Sequence, residues 1–385
     1  MARTSKPLEV SVVIPCLNEE KTLANVIRKA FAAFKTHGIT GEVVVSDNGS
    51  TDRSVAIATK EGARVVHQSL RGYGNAYLKG FAEANGKYLV MADADDTYDI
   101  NLLNEFVQPL REGYEFVIGD RFQGIIDEGA MPWHHYWIGN PALSFAQRVL
   151  FNNNIRDSHC GMRAFTKAAY DRLELHTTGM EFASEMVIRA SQEKLKIKQL
   201  PTNLHARPSG SHSKLSSWRD GWRHLRFMLM YSPLYLFLIP GSLLILFGGF
   251  ILGLLAKGPA TLLGFTFIIH PMILGAMLVI LGYQTIMFGL LTKAYRLTSF
   301  GKQAERDSFD HLTTYLSVDR GLIAGGVIAA IGIGLCAWVL STWMNSNFGN
   351  LEHIRTVIIA MTLIVVGAQT MFSAFFLGIL SVQHR

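Results

Sequence analysis

Four long stretches with almost no charge follow Pro233, and they constrain the fold of this chain more than any other feature. A helix that crosses a membrane needs about 20 apolar residues, whereas a soluble helix of that length carries a polar face. The sequence therefore predicts a membrane domain over residues 234–385 with four transmembrane α-helices. The second stretch is long enough to tilt or to begin in a loop. The stretches are 234–255, 262–291, 322–344 and 357–382.

The basic residues between these stretches are unevenly distributed. Positive charge is retained on the cytoplasmic side of membrane proteins, so the loop over residues 292–320 is predicted to be cytoplasmic. With four spans, the N-terminal domain and the C-terminal tail lie on that side too, and Met1–Glu9 lacks the apolar core of a signal peptide. We therefore predict a multi-pass protein of the inner, cytoplasmic membrane. The basic residues of that loop are Lys293, Arg296, Lys302, Arg306 and Arg320, against only Lys257 and Arg355 in the other two loops.

Apolar segments with strand character alternate with helical patterns from residue 8 to residue 120. This alternation is typical of a Rossmann-like α/β domain, in which helices cover both faces of a mainly parallel sheet. Ligands of such sheets bind beyond the carboxyl ends of the strands. We therefore predict an α/β domain over residues 1–210 with its site at that edge. The predicted strands are Glu9–Ile14, Glu42–Ser46, Arg64–His67, Lys87–Ala92 and Glu115–Ile118.

Acidic residues follow three of these strands. Glu19 comes after the first strand, Asp47 after the second, and Asp93 and Asp95 after the fourth. Two carboxylates one residue apart can converge on one divalent cation, and oxygen ligands suit Mg²⁺ or Mn²⁺. Such a cation neutralises a diphosphate. Acidic pairs also occur in solvated turns, so this pair alone leaves both interpretations open.

A loop with two glycines, Arg71–Asn75, precedes another helical pattern. Glycine permits close approach of the backbone, and the N-terminus of a helix favours an anion. A simple turn is an equally good interpretation of this loop alone.

Taken in order, four motifs resemble the family 2 inverting glycosyltransferases of GT-A fold. Asn48 departs from the pattern, because many relatives carry a second aspartate there. Three further segments resemble the polyprenyl-phosphate glycosyltransferases, the group of dolichol-phosphate mannose and glucose synthases. The resemblance covers residues 8–230. The four motifs are Pro15 with Asn18-Glu19, Asp47–Asp52, Arg71–Asn75 and Asp93–Asp95, and the three segments are Gly119–Phe122, Asp157–Phe165 and Ser211–Leu215.

The resemblance implies a nucleotide-sugar donor and a Mg²⁺ or Mn²⁺ cofactor. Asp93 and Asp95 would bind the metal ion and the diphosphate, and Asp95 would be catalytic in that sense. A bound cation stabilises the departing nucleoside diphosphate as the sugar–oxygen bond breaks. The residues implied in nucleotide-sugar binding are Pro15, Asn18, Glu19, Asp47, Gly72, Asp93 and Asp95.

The resemblance also implies a lipid acceptor, polyprenyl phosphate. The second pKa of a phosphate monoester is about 6, so the acceptor is largely a dianion at neutral pH and needs little help from a general base. The site must instead supply cations that align two anionic substrates. Asp157 is expected either to orient a cation or the acceptor, or to act as a base. The predicted catalytic cations are Arg121, Arg163 and Lys214, with Arg207 as a weaker candidate.

Three titratable residues near these segments are predicted to be structural. His159 lies between Asp157 and Arg163 in the sequence, and a satisfied structural histidine is the favoured interpretation. Glu181 and Glu185 are four residues apart, which places them on one helix face. A paired-acid site is the alternative for these two residues.

Two segments combine aromatic residues with basic ones. In residues 211–233, Trp218 and Trp222 recur at helical spacing beside a stripe of arginines, which predicts an interfacial amphipathic helix. Packing under the catalytic domain is the alternative. The aromatic segment Met131–Trp137 is predicted to form a lip through which the lipid enters.

The favoured interpretation is an enzyme that transfers a single hexose from a nucleotide-sugar to polyprenyl phosphate at the cytosolic membrane face, with UDP-glucose favoured and GDP-mannose next. One alternative is a processive polysaccharide synthase, although its usual Q-x-x-R-W motif is missing from the sequence. The other is a non-catalytic nucleotide-sugar-binding scaffold or transporter, against which the scarcity of ionisable residues in the spans argues. The spans are expected to anchor the enzyme and to mediate contacts in a homo-oligomer. The sequence shows no nucleic-acid-binding motif.

Overall fold

A seven-stranded sheet lies in the first of two compact units, Met1–Met228 and Leu229–Arg385. The computed structural model describes residues 7–207, 217–262, 264–299, 317–350 and 353–382 of the chain. The order across the sheet is β3-β2-β1-β4-β6-β5-β7. In chain order the strands are β1 Val10–Cys16, β2 Gly41–Asp47, β3 Arg64–His67, β4 Tyr88–Met91, β5 Phe116–Asp120, β6 Arg163–Thr166 and β7 Ile197–Pro201.

All strand pairs in this sheet are parallel except those of β6, which runs antiparallel to both β4 and β5. The prediction of a mainly parallel sheet is therefore confirmed, and its first five strands correspond to β1–β5. Strands β6 and β7 were not among the predicted strands. Both are short, and β6 contains the charged residue Arg163, so neither gives a continuous apolar run.

Helices cover the sheet because their apolar residues recur at helical spacing. In α1, the buried residues Leu23, Ile27, Ala30 and Phe34 form one stripe. The helix ends at Gly38, which adopts a left-handed conformation that glycine tolerates well. The helices of this unit are α1 Leu23–His37, α2 Ser54–Lys60, α3 Tyr73–Glu83, α4 Leu103–Arg111, α5 Asn140–Phe151, α6 Lys167–Leu173 and α7 Phe182–Gln192, followed by α8 Ser217–Tyr231.

The strand register brings the predicted functional segments to one edge of the sheet. Cys16 is paired with Asp47, so β1 and β2 end at the same level. Arg163 is paired with Met91 of β4 and with Ile118 of β5. Because β6 runs in the opposite direction, the residues that precede it lie at the edge where β4 and β5 end.

Four helices in the described part of the second unit are long and apolar enough to span a membrane, as predicted. They are α9 Ile239–Leu255, which follows a π-helical turn at Leu234–Leu238, α10 His270–Ser299, α11 Val318–Asn345 and α12 Ile354–Val382. Of the two alternatives for the second stretch, the structure shows the one in which the stretch begins in a loop, and the span itself starts later than residue 262. The two short strands β8 Ala260–Leu262 and β9 Phe265–Phe267 form a hairpin there, and the helix begins at His270.

Glycines allow close contact between neighbouring membrane helices. A Cβ atom at Gly248 of α9 would lie 2.5 Å from the Gly275 carbonyl oxygen of α10, and one at Gly325 of α11 would lie 2.7 Å from the Gly367 carbonyl oxygen of α12. Gly249, in contrast, faces no other group within 4 Å among the described residues. Gly248 and Gly325 are thus used for packing between helices of one chain.

Candidate active site

The loop after β2 holds Asp47 in its charged form. Asp47 is buried, and its carboxylate accepts hydrogen bonds from the amides of Gly49 (3.3 Å) and Ser50 (3.0 Å). His67 Nδ1 at the end of β3 lies 3.2 Å from Asp47 Oδ2. Burial raises the pKa of Asp47, but hydrogen bonds from Ser50, His67 and Gly49 outweigh it and bring the pKa below its usual value. Asp47 therefore presents a charged carboxylate at the edge of the sheet, where the nucleoside is predicted to bind.

Two asparagines connect the loops around Asp47. Asn18, at a positive φ of 56°, accepts a hydrogen bond from the Thr51 amide (2.8 Å). Asn48 donates to the carbonyl oxygen of Leu70 (2.8 Å) and accepts from the amide of Gly72 (2.7 Å). Asn48 thus replaces the expected aspartate with a group that both donates and accepts.

Pro15 and Glu19 also lie at this edge. Pro15 is in β1 beyond the last residue paired with β4, where a missing amide N–H costs no ladder hydrogen bond on that side. The amide of Glu19 donates to Ser54 Oγ (2.9 Å), which ties the segment after β1 to the start of α2.

The loop before α3 requires glycine. Gly72 has a φ of 145°, and a Cβ atom there would lie 2.2 Å from the carbonyl oxygen of Thr178. The segment that contains Thr178 is held in place by Glu185 of α7. Glu185 is fully buried and accepts hydrogen bonds from the amides of His176 and Thr177. The structural role predicted for Glu185 agrees with these contacts.

Asp93 follows the end of β4, where two tyrosines contact it. Tyr73 and Tyr77, four residues apart on α3, donate to Asp93 Oδ1 at 3.1 and 3.3 Å. Burial and the negative charge of Asp95 raise the pKa of the Asp93 carboxyl group to about 6. A Cβ atom at Gly161 would lie 2.5 Å from Asp93 Oδ2, so only glycine fits at this position without displacing a neighbour.

Asp95 contacts Arg207, which the sequence analysis gave only as a weaker candidate for a catalytic cation. Its carboxylate accepts hydrogen bonds from the hydroxyl group (2.7 Å) and the amide of Thr97, and Arg207 Nη2 lies 2.5 Å from Asp95 Oδ2. The amide of His205 donates to the carbonyl oxygen of Thr97, which brings the segment containing Arg207 to this loop. Asp96 points elsewhere and pairs with Lys29 (2.9 Å).

Asp157 and Arg121 form a buried pair at the end of β5. Arg121 Nε donates to Asp157 Oδ2 (2.6 Å) and Nη2 donates to Oδ1 (2.8 Å), while the Arg121 amide also donates to Oδ2 (3.1 Å). Asp157 is fully buried and Arg121 is 8% exposed. Burial lowers the pKa of Arg121, but the charge of Asp157 outweighs it, so Arg121 stays a cation.

Arg163 occupies a different position from the one predicted for an acceptor contact. It is fully buried, and its guanidinium group donates to the carbonyl oxygens of Cys160 (3.0 Å), Ala183 (2.6 Å) and Ser158 (2.8 Å). These bonds join the segment before β6 to α7, so Arg163 has a structural role in place of a contact with a ligand. Lys214 and the rest of Ser211–Leu215 lie outside the described residues.

The two aromatic segments expose large side chains. On α8, Trp218 is 92% exposed, whereas His224 and Met228 are buried. Before α5, Trp137 is 73% exposed, and Tyr136 packs against Phe122 with ring centroids 5.6 Å apart.

Comparison with known proteins places this arrangement in a family. Residues 11–174 match the model of glycosyl transferase family 2, and residues 290–381 match that of the glycosyltransferase family 2 C-terminal transmembrane region. The low-salt glycan biosynthesis hexosyltransferase Agl6 of Haloferax volcanii is 37% identical over 374 residues, which are 96% of this chain and 88% of that protein. The chain belongs to glycosyltransferase family 2.

Two further proteins are similar to this glycosyltransferase. A dolichyl-phosphate hexose transferase of Haloferax volcanii is 32% identical over 216 residues, 55% of this chain and 89% of that protein. Among solved structures, glucosyl-3-phosphoglycerate synthase from Mycobacterium tuberculosis, in complex with Mn²⁺, UDP and glucosyl-3-phosphoglycerate, is 24% identical. It covers 58% of this chain and 79% of that chain, with a TM-score of 0.45. The family matches and the mainly parallel sheet confirm the predicted GT-A fold followed by membrane helices, and the enzyme is a glycosyltransferase.

The carboxylates of the glycosyltransferase fit a divalent cation. Asp93 and Asp95 repel each other at the end of β4, which contributes to the raised pKa of Asp93. The described residues contain no cluster of three or more histidine, cysteine, aspartate or glutamate side chains that could hold a metal ion by themselves. Mg²⁺ is commonly bound by one or two carboxylates together with substrate phosphates and water. Asp93 and Asp95 would therefore hold the cation together with the donor diphosphate.

Several residues of this site were not identified from the sequence. Tyr73 and Tyr77 share one face of α3 and both contact Asp93, and their spacing of four residues was the available signal. Two other residues belong to no motif in the sequence. His67 contacts Asp47, and the hydroxyl group of Tyr98 accepts a hydrogen bond from the Gly161 amide (2.9 Å).

Proposed function

We propose that this glycosyltransferase transfers a single hexose from a nucleotide-sugar to polyprenyl phosphate at the cytosolic face of the membrane, with inversion at the sugar. The observation that carries the proposal is the buried pair of Arg121 and Asp157, which presents a fixed cation at the edge where the donor carboxylates lie. The similarity to a dolichyl-phosphate hexose transferase and the four apolar helices support a lipid acceptor.

On the donor side, Asp47 would hold the nucleoside through a hydrogen bond to its ribose or base. Pro15, Asn18 and Glu19 shape the neighbouring wall, and Gly72 allows the backbone to approach the donor. A Mg²⁺ or Mn²⁺ ion held by Asp93 and Asp95 would neutralise the charge that develops on the diphosphate.

On the acceptor side, Arg121 would bind the lipid phosphate. Two of its guanidinium nitrogens bind Asp157, and the third, Nη1, makes no hydrogen bond within the described part of the chain. A phosphate oxygen then forms the bond to C1 of the sugar as the bond from C1 to the diphosphate breaks, and the electron pair leaves with the nucleoside diphosphate. Because the acceptor is already largely a dianion, no proton must be removed. Asp157 therefore acts by orienting Arg121 and not as a base.

Arg207 is a second cation for the anionic substrates. It is already paired with Asp95, which brings a positive charge next to the carboxylates that would hold the diphosphate. We assign Lys214 a role in acceptor binding on the basis of its motif alone.

The exposed aromatic residues suit a membrane surface. Trp218 and Trp222 of α8 are accompanied by the arginines Arg219 and Arg226 on the exposed side of the helix. Tryptophan is favoured at the level of lipid headgroups, and arginine is attracted to anionic lipids. We propose that α8 and the segment around Trp137 contact the headgroups, near the phosphate of the lipid acceptor.

A donor panel tests the proposed reaction. The full-length protein in lipid nanodiscs is incubated with undecaprenyl phosphate, Mg²⁺ or Mn²⁺, and UDP- or GDP-sugars, with UDP-glucose first and GDP-mannose second. Mass spectrometry of the lipid should show the addition of one hexose. A ladder of longer products would indicate a processive synthase. Uptake of a sugar into sealed proteoliposomes, without any lipid product, would indicate a transporter.

Variants test the donor side. Asp95→Ala should abolish transfer, whereas Asp171→Ala, which removes an exposed carboxylate on α6, should leave it unchanged. Full activity of Asp95→Ala would exclude the proposed metal site.

A further inference from the structure

Behind the pair of Arg121 and Asp157 lies a group of polar side chains that the proposed reaction does not use. We call it the histidine cluster and define it as Ser144, Ser158, His159, Ser184 and His224. Its members come from α5, from the segment before β6, from α7 and from α8. Ser144, Ser158, Ser184 and His224 are all buried, although the surrounding core is apolar.

On one side, the cluster joins Asp157 to α5. Ser144 Oγ lies 3.1 Å from Ser158 Oγ and accepts a hydrogen bond from the Ser158 amide at 3.3 Å. Ser158 directly follows Asp157, so this contact fixes the backbone that carries the carboxylate. Helix α5 in turn follows the exposed aromatic segment around Trp137.

On the other side, the cluster joins the same backbone to α8. The rings of His159 and His224 meet edge to face with centroids 4.8 Å apart. His224 Nδ1 lies 2.8 Å from Ser184 Oγ of α7, and Ser158 Oγ lies 3.0 Å from His159 Nδ1. His224 thus contacts the segment next to Asp157 from the helix whose opposite side exposes Trp218 and Trp222.

Both histidines are neutral at neutral pH. Burial lowers the pKa of His159, and His224, Arg121 and Arg163 lower it further. Burial also lowers the pKa of His224, against the opposing charges of Glu181 and Asp220. Two neutral rings can pack edge to face without repulsion.

We propose that His224 is a positioning residue, which couples α8 through His159 to Asp157 and so fixes Arg121 for the lipid phosphate. The inference rests on the proposed function in one respect, namely that Arg121 contacts the acceptor. The coupling of His224 to Asp157 can be tested without that function. The amide of Arg121 donates a hydrogen bond to Asp157, so its hydrogen exchange depends on the position of the carboxylate. Contact of α8 with lipid headgroups would then order the acceptor side of the site.

Hydrogen–deuterium exchange on the full-length protein in nanodiscs tests the coupling without any substrate. His224→Leu removes the ring and the bond to Ser184, and we expect faster exchange in peptides covering residues 119–124 and 157–161. Peptides of β1 and β2 should be unchanged. His224→Phe retains an aromatic edge for His159 and should keep the two peptides closer to wild type. His37→Leu, a matched change at an exposed histidine of α1, is the control.

Kinetics provide the second measurement. In His224→Leu, KM for undecaprenyl phosphate should rise about 5-fold or more, the factor expected for one lost neutral hydrogen bond, while KM for the nucleotide-sugar stays unchanged. His224→Phe also loses the bond to Ser184 but keeps the ring contact with His159, so KM for undecaprenyl phosphate should rise less than in His224→Leu. A purely structural role would instead lower the melting temperature and leave both KM values as they are.

Three outcomes would overturn the coupling. They are unchanged exchange in both peptides of His224→Leu, faster exchange throughout the sheet, and an equal rise in both KM values. If the wild-type protein transfers no sugar to polyprenyl phosphate, the proposed function fails, whereas the exchange measurement still decides whether His224 positions Asp157 and Arg121.

Discussion

Replacing Asp157 with asparagine distinguishes between the two roles that the sequence left open for this residue. The Asp157 carboxylate accepts three hydrogen bonds from Arg121, two at Oδ2 (2.6 and 3.1 Å) and one at Oδ1 (2.8 Å). An asparagine of the same shape has one acceptor oxygen in place of two. At least one nitrogen of Arg121 would then face another donor, and the guanidinium group would lose its fixed orientation.

The magnitude follows from the burial of the pair. A hydrogen bond to a charged group contributes about 1.5–3 kcal/mol, and about 1.4 kcal/mol corresponds to a factor of ten. Asp157 is fully buried, so solvent does not screen this loss. We therefore expect kcat/KM for polyprenyl phosphate to fall about 10- to 100-fold. The melting temperature should fall by about 3–12 °C, at about 2–4 °C per kcal/mol for a domain of this size.

Initial rates at varied lipid and at varied nucleotide-sugar measure the effect, and KM for the nucleotide-sugar should not change. Glu61→Gln is the matched control. Glu61 binds Arg28 through the same two guanidinium nitrogens, at 2.7 and 2.5 Å, but on the exposed surface between α1 and α2. Exposed ion pairs contribute little, so the control should retain wild-type kinetics.

Two results would refute the reasoning about Asp157. Unchanged acceptor kinetics in a folded Asp157→Asn protein would mean that Arg121 needs no orientation for transfer. A loss of about 10⁴-fold, together with the disappearance of the acidic limb of the pH–rate profile, would identify Asp157 as a general base.

Three further predictions concern the packing of two glycines and the protonation of His159 and His224. A methyl group at Gly161 would lie 2.5 Å from a donor-side carboxylate oxygen, so Gly161→Ala should raise KM for the nucleotide-sugar about tenfold in steady-state assays. In thermal melts, Gly248→Leu should lower the melting temperature, because the new side chain would push α9 away from α10. Gly249→Leu should not lower it, because Gly249 faces no other group within 4 Å among the described residues. The pKa values of His159 and His224 are below the usual 6.5 in the folded state, so their contribution to stability is present above pH 6.5 and is lost as the pH falls. Melts between pH 8 and pH 5 should show this loss and a flatter profile in His224→Asn, and a melting temperature that rises on acidification would contradict it.

The membrane helices and the donor edge could be predicted from the sequence because their signals are local. A span is a long run without charge, and Asp47, Asp93 and Asp95 each follow an apolar strand whose end is visible in the chain. Parallel strands end at a common edge, so the neighbourhood of these residues follows from the order of the elements.

The acceptor side was less predictable because its contacts depend on burial and on distant parts of the chain. A motif does not distinguish an arginine that faces a ligand from one that is buried against carbonyl oxygens, and Arg163 is of the second kind. Arg207 reaches Asp95 only because the chain after β7 returns to the loop after β4. No local pattern indicates such a return.

Strand β6 also determines when the two halves of the site can be assembled during synthesis. Strands β1 to β4 and the donor carboxylates lie within the first 95 residues, but Gly72 packs against Thr178 and Asp93 packs against Gly161. The acceptor half must wait until Arg163 pairs with Met91 and β7 joins β5. Because a domain folds as a unit and distant pairings form late, neither half of the site is complete until Gly161, Thr178 and β7 have been synthesised. A chain interrupted before residue 163 would therefore contain the donor carboxylates and the pair of Arg121 and Asp157, but it would lack the segments that hold both in place.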